Sequence, residues 1–94
     1  MQFKFKLPDI RLFVDVVDDQ VLVNKFVEYE KSGPYFAKGK YPTDRYLVDL
    51  SKGEIELVID ALSNHLMTSG LNDDGEPNAL GFQIETLIDV LNKN

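Results

Sequence analysis

Four groups of residues in this chain have side chains that could do chemistry. The first is the acidic stretch Asn72-Asp73-Asp74-Gly75-Glu76, whose oxygens and central glycine suggest a calcium loop. An EF-hand loop needs oxygen ligands at positions 1, 3 and 5, glycine at 6 and a bidentate glutamate at 12. Setting Gly75 at position 6 puts Asn72 and Asp74 at 3 and 5, but glycines, Gly70 and Gly81, at 1 and 12. Starting instead at Asn72 puts Pro77 at the glycine position and Gln83 at the end. Neither register supplies the ligands. The stretch is expected to be a turn, with short polar side chains bonding their own backbone, Gly75 allowing positive φ, and Asn78 capping the next helix.

The second group is His65, the only histidine. Its helical neighbours three and four residues away are Leu62, Ala61, Thr68 and Ser69. No carboxylate is placed to orient the ring, and a serine–histidine pair without a third group or an oxyanion donor does not define a nucleophile. The third group comprises the carboxylate pairs Glu56/Asp60 and Glu85/Asp89, each spaced i,i+4. Burial would raise one member's pKa, but on amphipathic helices these positions read as the solvated side. Glycine-rich phosphate loops, nucleophile elbows and metal-ligand spacings do not occur, so no catalytic, cofactor-binding or metal-binding residue is assigned.

The fourth group is the segment SGPYFAKGKYPTDRY, residues 32–46. Tyr35, Phe36, Tyr41 and Tyr46 are interleaved there with Lys38, Lys40 and Arg45. Tyrosine and arginine are favoured at protein-interface hot spots, and rings beside cations also suit nucleotides or single-stranded nucleic acid. The structural alternative is a strand–loop–strand connection whose rings cap a sheet edge and whose lysines guard it. These seven residues are the candidate partner-binding set.

Elements must position these groups. Phe3, Phe5 and Leu7 alternate with lysines as in a half-buried strand, and Pro8-Asp9 interrupts the run. The stretches 10–17 and 21–30 are rich in β-branched and aromatic residues and separated by Asp18-Asp19-Gln20, which predicts a β-hairpin. A single helix over 9–31 competes, but its stripe of Ile10, Phe13, Val14, Val17 and Val21 runs into Asn24, Lys25 and Glu28. A short strand at 35–37 and a strand at 45–50 complete this half.

Ser51-Lys52-Gly53-Glu54 is a capping box flanked by Leu50 and Ile55, opening a helix whose apolar stripe is Ile55, Val58, Ile59, Leu62 and Leu66. Gly70 is expected to end it in the left-handed conformation. A second helix over 78–92 presents Leu80, Ile84, Leu87, Ile88 and Leu91. The expected fold is α+β: a small antiparallel sheet from residues 1–50, packed against a helical hairpin from 51–94, in one domain.

The chain has 94 residues, 44% hydrophobic and 28% charged, which suits one folded domain and not disorder. It has no cysteine, which removes disulfides and thiol chemistry and fits a reducing compartment. No signal peptide and no apolar run of membrane-spanning length is present, so a cytoplasmic location is expected. The net charge of −6 is uneven: residues 1–48 carry +1 and residues 49–94 carry −7. The acidic half disfavours nucleic acid and suits a basic protein partner, mimicry of nucleic acid, or simply a solvated surface.

The pattern "VDLSKGEIELVIDALSNHL…LNDDGEP…LGFQIETLIDVLNK", residues 48–93, resembles the C-terminal parts of short, uncharacterised bacteriophage and prophage proteins. The resemblance implies a bacterial or phage cytoplasmic setting in which small acidic proteins act by binding a host protein. The expected function is therefore a non-catalytic protein-interaction module that binds a protein partner or itself, without cofactor or membrane. The alternative is a small nucleic-acid or nucleotide binder using residues 32–46.

Overall fold

The computed structural model describes residues 1–37 and 39–93. Its elements are β1 (Gln2–Phe5), α1 (Leu7–Val16), α2 (Gln20–Ser32), β2 (Phe36–Ala37), β3 (Tyr41–Pro42), β4 (Tyr46–Asp49), α3 (Lys52–Ser69) and α4 (Ala79–Asn92). The fold is α+β with a C-terminal helix pair. β1 pairs antiparallel with β4, joining Phe3 to Val48 and Phe5 to Tyr46, and β2 pairs with β3 in a separate hairpin. No helix among the described residues is long and apolar enough to cross a membrane.

The expected β-hairpin over 10–30 is instead two helices. β1 ends at Phe5, and Pro8 sits in the first turn of α1, where its missing N–H is harmless. Asp9 in that turn accepts from the Lys6 N–H at 3.3 Å and favours the positive helix end. Val17 has extended backbone, and Asp19 then caps α2 by accepting from the Leu22 N–H at 3.0 Å. The break shifts the apolar stripe by one residue. A continuous helix would carry 21, 25 and 28 inward, whereas α2 buries Leu22 and Phe26 and half-buries Tyr29. Each short helix therefore has a coherent face although the combined segment has none. Tertiary burial outweighs the β-propensity of the valines.

The sheet and the N-terminal helices share an aromatic chain. Phe3 stacks on Phe5 at 5.6 Å between centroids, Phe5 meets Phe13 edge-on at 5.0 Å, and Phe13 meets Phe26 at 5.0 Å. Ile10, Val48, Val58, Leu62 and Ile84 extend this into one core. α3 packs along α4 and contacts α1, which is how the C-terminal pair joins the N-terminal half.

The capping box forms as expected: Glu54 N–H donates to Ser51 Oγ at 3.2 Å and Ser51 N–H to Glu54 Oε1 at 2.9 Å. Gly70 departs from expectation. Its φ and ψ are −94° and 0°, not left-handed. The glycine serves close approach: a β-carbon there would press on the Leu66 side chain, and its carbonyl accepts from Asn78 N–H at 2.9 Å. Gly81, in the first turn of α4, faces the same carbonyl. A β-carbon on Gly81 would collide with the Gly70 oxygen and crowd Pro77 Cβ. Gly81→Ala should therefore destabilise the protein by about 1–3 kcal/mol, as overpacking against rigid backbone does, measured by urea denaturation. A change within about 0.5 kcal/mol would show that α4 can shift away from α3 without cost.

Candidate functional site

The candidate partner-binding segment forms the β2–β3 hairpin and its base. α2 ends at Gly33, and the chain re-enters the fold where Tyr35 N–H donates to Arg45 O at 3.0 Å. Thr43 pins this base, its hydroxyl donating to Tyr35 O at 2.7 Å and accepting from Arg45 N–H at 3.3 Å. Thr43 was not singled out in the sequence, although a threonine beside Pro42 and Asp44 is a common side-chain-to-backbone turn residue. Beyond the base the two strands pair only with each other among the described residues. Gly39, at φ 75°, supplies the tight turn at the tip, and Lys38 lies outside the described residues.

The six described candidates separate into distinct roles. Tyr46 is only 7% exposed, opposite Phe5 in the core, so its contribution is to anchor β4. Tyr35 is half-buried with Lys4 Nζ 5.4 Å from its ring centroid, which ties the hairpin base to β1. Arg45 is half-buried, with Nε 3.6 Å from the carboxylate of its neighbour Asp44. Phe36 and Tyr41 are the exposed rings, at 59% and 55%. Lys40 Nζ lies 5.5 Å from the Tyr41 centroid.

Register decides how the two rings are presented. Phe36 pairs with Pro42, and Ala37 pairs with Tyr41. Residues directly opposite across an antiparallel pair share a face, and successive residues alternate. Phe36 and Pro42 therefore lie on one face of the hairpin, and Ala37 and Tyr41 on the other. The segment is a thin flap with a ring on each side, and not one flat stacking platform.

The other chemistry-bearing groups occupy different places. Residues 70–78 form a closed connector. Leu71 bridges to Pro77, Asn72 N–H donates to Glu76 O at 2.7 Å, Gly75 N–H to Asn72 O at 2.9 Å, and Asp74 accepts from Glu76 N–H at 3.0 Å. Asn78 caps α4 by accepting from Gly81 N–H at 2.9 Å. Among the described residues no three acidic, histidine or cysteine side chains converge as a metal site. His65 is half-buried on α3, and Glu56, Asp60, Glu85 and Asp89 are exposed on the outer faces of α3 and α4.

A groove of about 300 Å³ beside α2 is lined by Lys25, Glu28, Tyr29 and Ser32. Two of its polar groups are committed to the fold. Tyr29 hydroxyl accepts from Asp49 N–H at 3.1 Å, and Lys25 Nζ meets Glu54 Oε1 at 2.8 Å. Reading 21–30 as a strand hid both, because a strand would hold Lys25 and Tyr29 about 13 Å apart, whereas a helix stacks them as neighbours at i,i+4. No family model, curated protein or solved structure matches the chain.

Glu54 thus caps α3 and pairs with α2 at once. Partial burial acts to raise its pKa, but the Lys25 ammonium and the Ser51 amide together outweigh this, holding the carboxyl below its ordinary value of 4.5. A depressed carboxylate adds stability that is complete above 4.5 and is lost as pH falls through the lower, folded-state value. Glu54→Gln should therefore lower stability at pH 7 by about 1 kcal/mol and flatten the loss of stability below pH 4.5. Chemical denaturation across pH 3–7 checks this, and equal acid slopes for the two proteins would remove Glu54 from the account.

Proposed function

We propose that this chain is a non-catalytic protein-interaction module of a bacterial or phage cytoplasm, and that the β2–β3 hairpin is its docking element. The observation that carries the proposal is the exposure of Phe36 and Tyr41 on opposite faces of a hairpin too short to bury either. Exposed aromatic rings held on a pinned base lose little conformational entropy on binding. Burying one such side chain contributes about 1.5–3 kcal/mol. The partner that fits is a protein cleft with two apolar walls and an acidic group near Lys40. The resemblance of residues 48–93 to phage proteins supports the setting, and the paired or solvent-facing state of the acidic groups supports a non-catalytic role.

The double variant Phe36→Ala/Tyr41→Ala tests this, since neither ring contributes to the core. It should keep the wild-type circular dichroism spectrum and weaken binding to a partner identified from the native host by about 30-fold or more, measured by isothermal calorimetry. Undiminished affinity for that partner would remove the hairpin from the interface. The second reading, stacking on nucleotides or single-stranded nucleic acid, is favoured only by the Lys40–Tyr41 pair. It predicts oligonucleotide affinity that falls steeply between low and moderate salt, read by fluorescence anisotropy.

A further inference from the structure

The β1–β4 sheet has two edges, and they are treated differently. Leu50 N–H donates to Met1 O at 2.8 Å, and the Met1 amine donates to Leu50 O at 2.9 Å. Antiparallel bonding alternates along a strand, so Phe3 and Phe5 also direct their backbone groups toward β4. Gln2 and Lys4 direct theirs away from it. On the β4 side Asp49 N–H is taken by the Tyr29 hydroxyl and Arg45 O, just before the strand, by the Tyr35 N–H, while the outward groups of Leu47 between them have no partner among the described residues. On β1 the outward N–H and C=O groups of Gln2 and Lys4 have no partner among the described residues. The β4 edge is flanked on both sides of Leu47 by bonded tyrosines, whereas the β1 edge is a bare template for a strand.

We infer that the free β1 edge is a self-association site, on which β1 of a second copy pairs antiparallel about a two-fold axis at Phe3. The register follows from which groups are free. Only with Gln2 opposite the partner's Lys4, and Lys4 opposite the partner's Gln2, are all outward groups of both strands used, in four hydrogen bonds. Shifting the axis to Lys4 would set two ammonium groups opposite each other. It would also engage Lys6, whose N–H already donates to Asp9 and whose carbonyl already accepts from Asp9 and Ile10. The short strand and its lysines oppose indiscriminate strand addition, and the symmetric register is the pairing they leave open. The product is a four-stranded sheet ordered β4–β1–β1–β4, with Gln2 beside the partner's Lys4 on its solvent face.

Sedimentation velocity of the full chain, without an N-terminal tag, tests the site. The wild type should show a concentration-dependent dimer. Lys4→Pro removes an outward N–H and the Lys4–Tyr35 contact but no β1–β4 hydrogen bond, so the monomer should fold while dimerisation weakens at least tenfold. Gln2→Lys should weaken the dimer about fivefold by opposing two ammonium groups, and Gln2→Glu should tighten it; both leave the Lys4–Tyr35 contact in place. Phe36→Ala/Tyr41→Ala should leave the dimer constant unchanged, which separates this site from the hairpin. A chain that stays monomeric at every concentration overturns the inference. So does a dimer indifferent to Lys4→Pro and both Gln2 changes, or one abolished by the hairpin variant.

Discussion

The antiparallel pairing of β1 with β4 is the constraint on which the remainder of the structure depends. It joins residues 2–5 to 46–49 and closes a loop holding α1, α2 and the β2–β3 hairpin. Two strands cannot bury a face unaided, so Phe3, Phe5, Tyr46 and Val48 need helices against them. Phe5 meets Phe13 and Phe13 meets Phe26, so α1 and α2 are pulled onto the sheet by the same rings that alternate along β1. The pairing also sets the edges. Tyr29 from α2 bonds Asp49 in β4 and Tyr35 from the hairpin base bonds Arg45 just before it, so the segments inside the loop flank the strand that closes it.

Where local signals and burial agree, this fold is legible from the chain. The alternation of Phe3 and Phe5, the Ser51–Glu54 capping box, the Asn78 cap and the apolar stripes of α3 and α4 each specify one element without help from distant residues. Residues 10–30 are different because two signals conflict there. The valines and phenylalanines favour a strand locally, while the caps Asp9 and Asp19 favour helix starts. The caps win because Phe13, Leu22 and Phe26 reach the core only from helices. The one-residue phase change at Val17–Asp19 hides this from any search for a single continuous face. Gly81 is obscured for another reason: its need for a missing side chain arises from the Gly70 carbonyl, across a connector of known composition but unknown path.

The candidate surface was legible as a composition and illegible as a geometry. Aromatic and basic residues over 32–46 mark the segment, but strand alternation and register assign Tyr46 to the core, Tyr35 to a contact with Lys4, and Phe36 and Tyr41 to opposite sides of a flap. None of those assignments follows from residue type. They follow from where β4 begins, which depends on its pairing with β1.

Charge explains why both proposed surfaces lie in the same half of the chain. Residues 49–94 carry −7, and their only cations are Lys52 and Lys93, so the exposed acids of α3 and α4 have few local partners. Among the described residues the one acid of α3 that finds a close cation, Glu54, borrows Lys25 from α2. Two copies approaching through α3 and α4 would bring like charge to like charge, an unfavourable encounter at any orientation of those faces. The N-terminal half carries +1 and pairs charges within itself, as Arg11 does with Glu30, leaving Lys4 and Lys40 against tyrosine rings. Like-charge repulsion thereby disfavours approach through the helical pair and favours the two proposed surfaces, where backbone groups and aromatic rings, not net charge, would decide what fits.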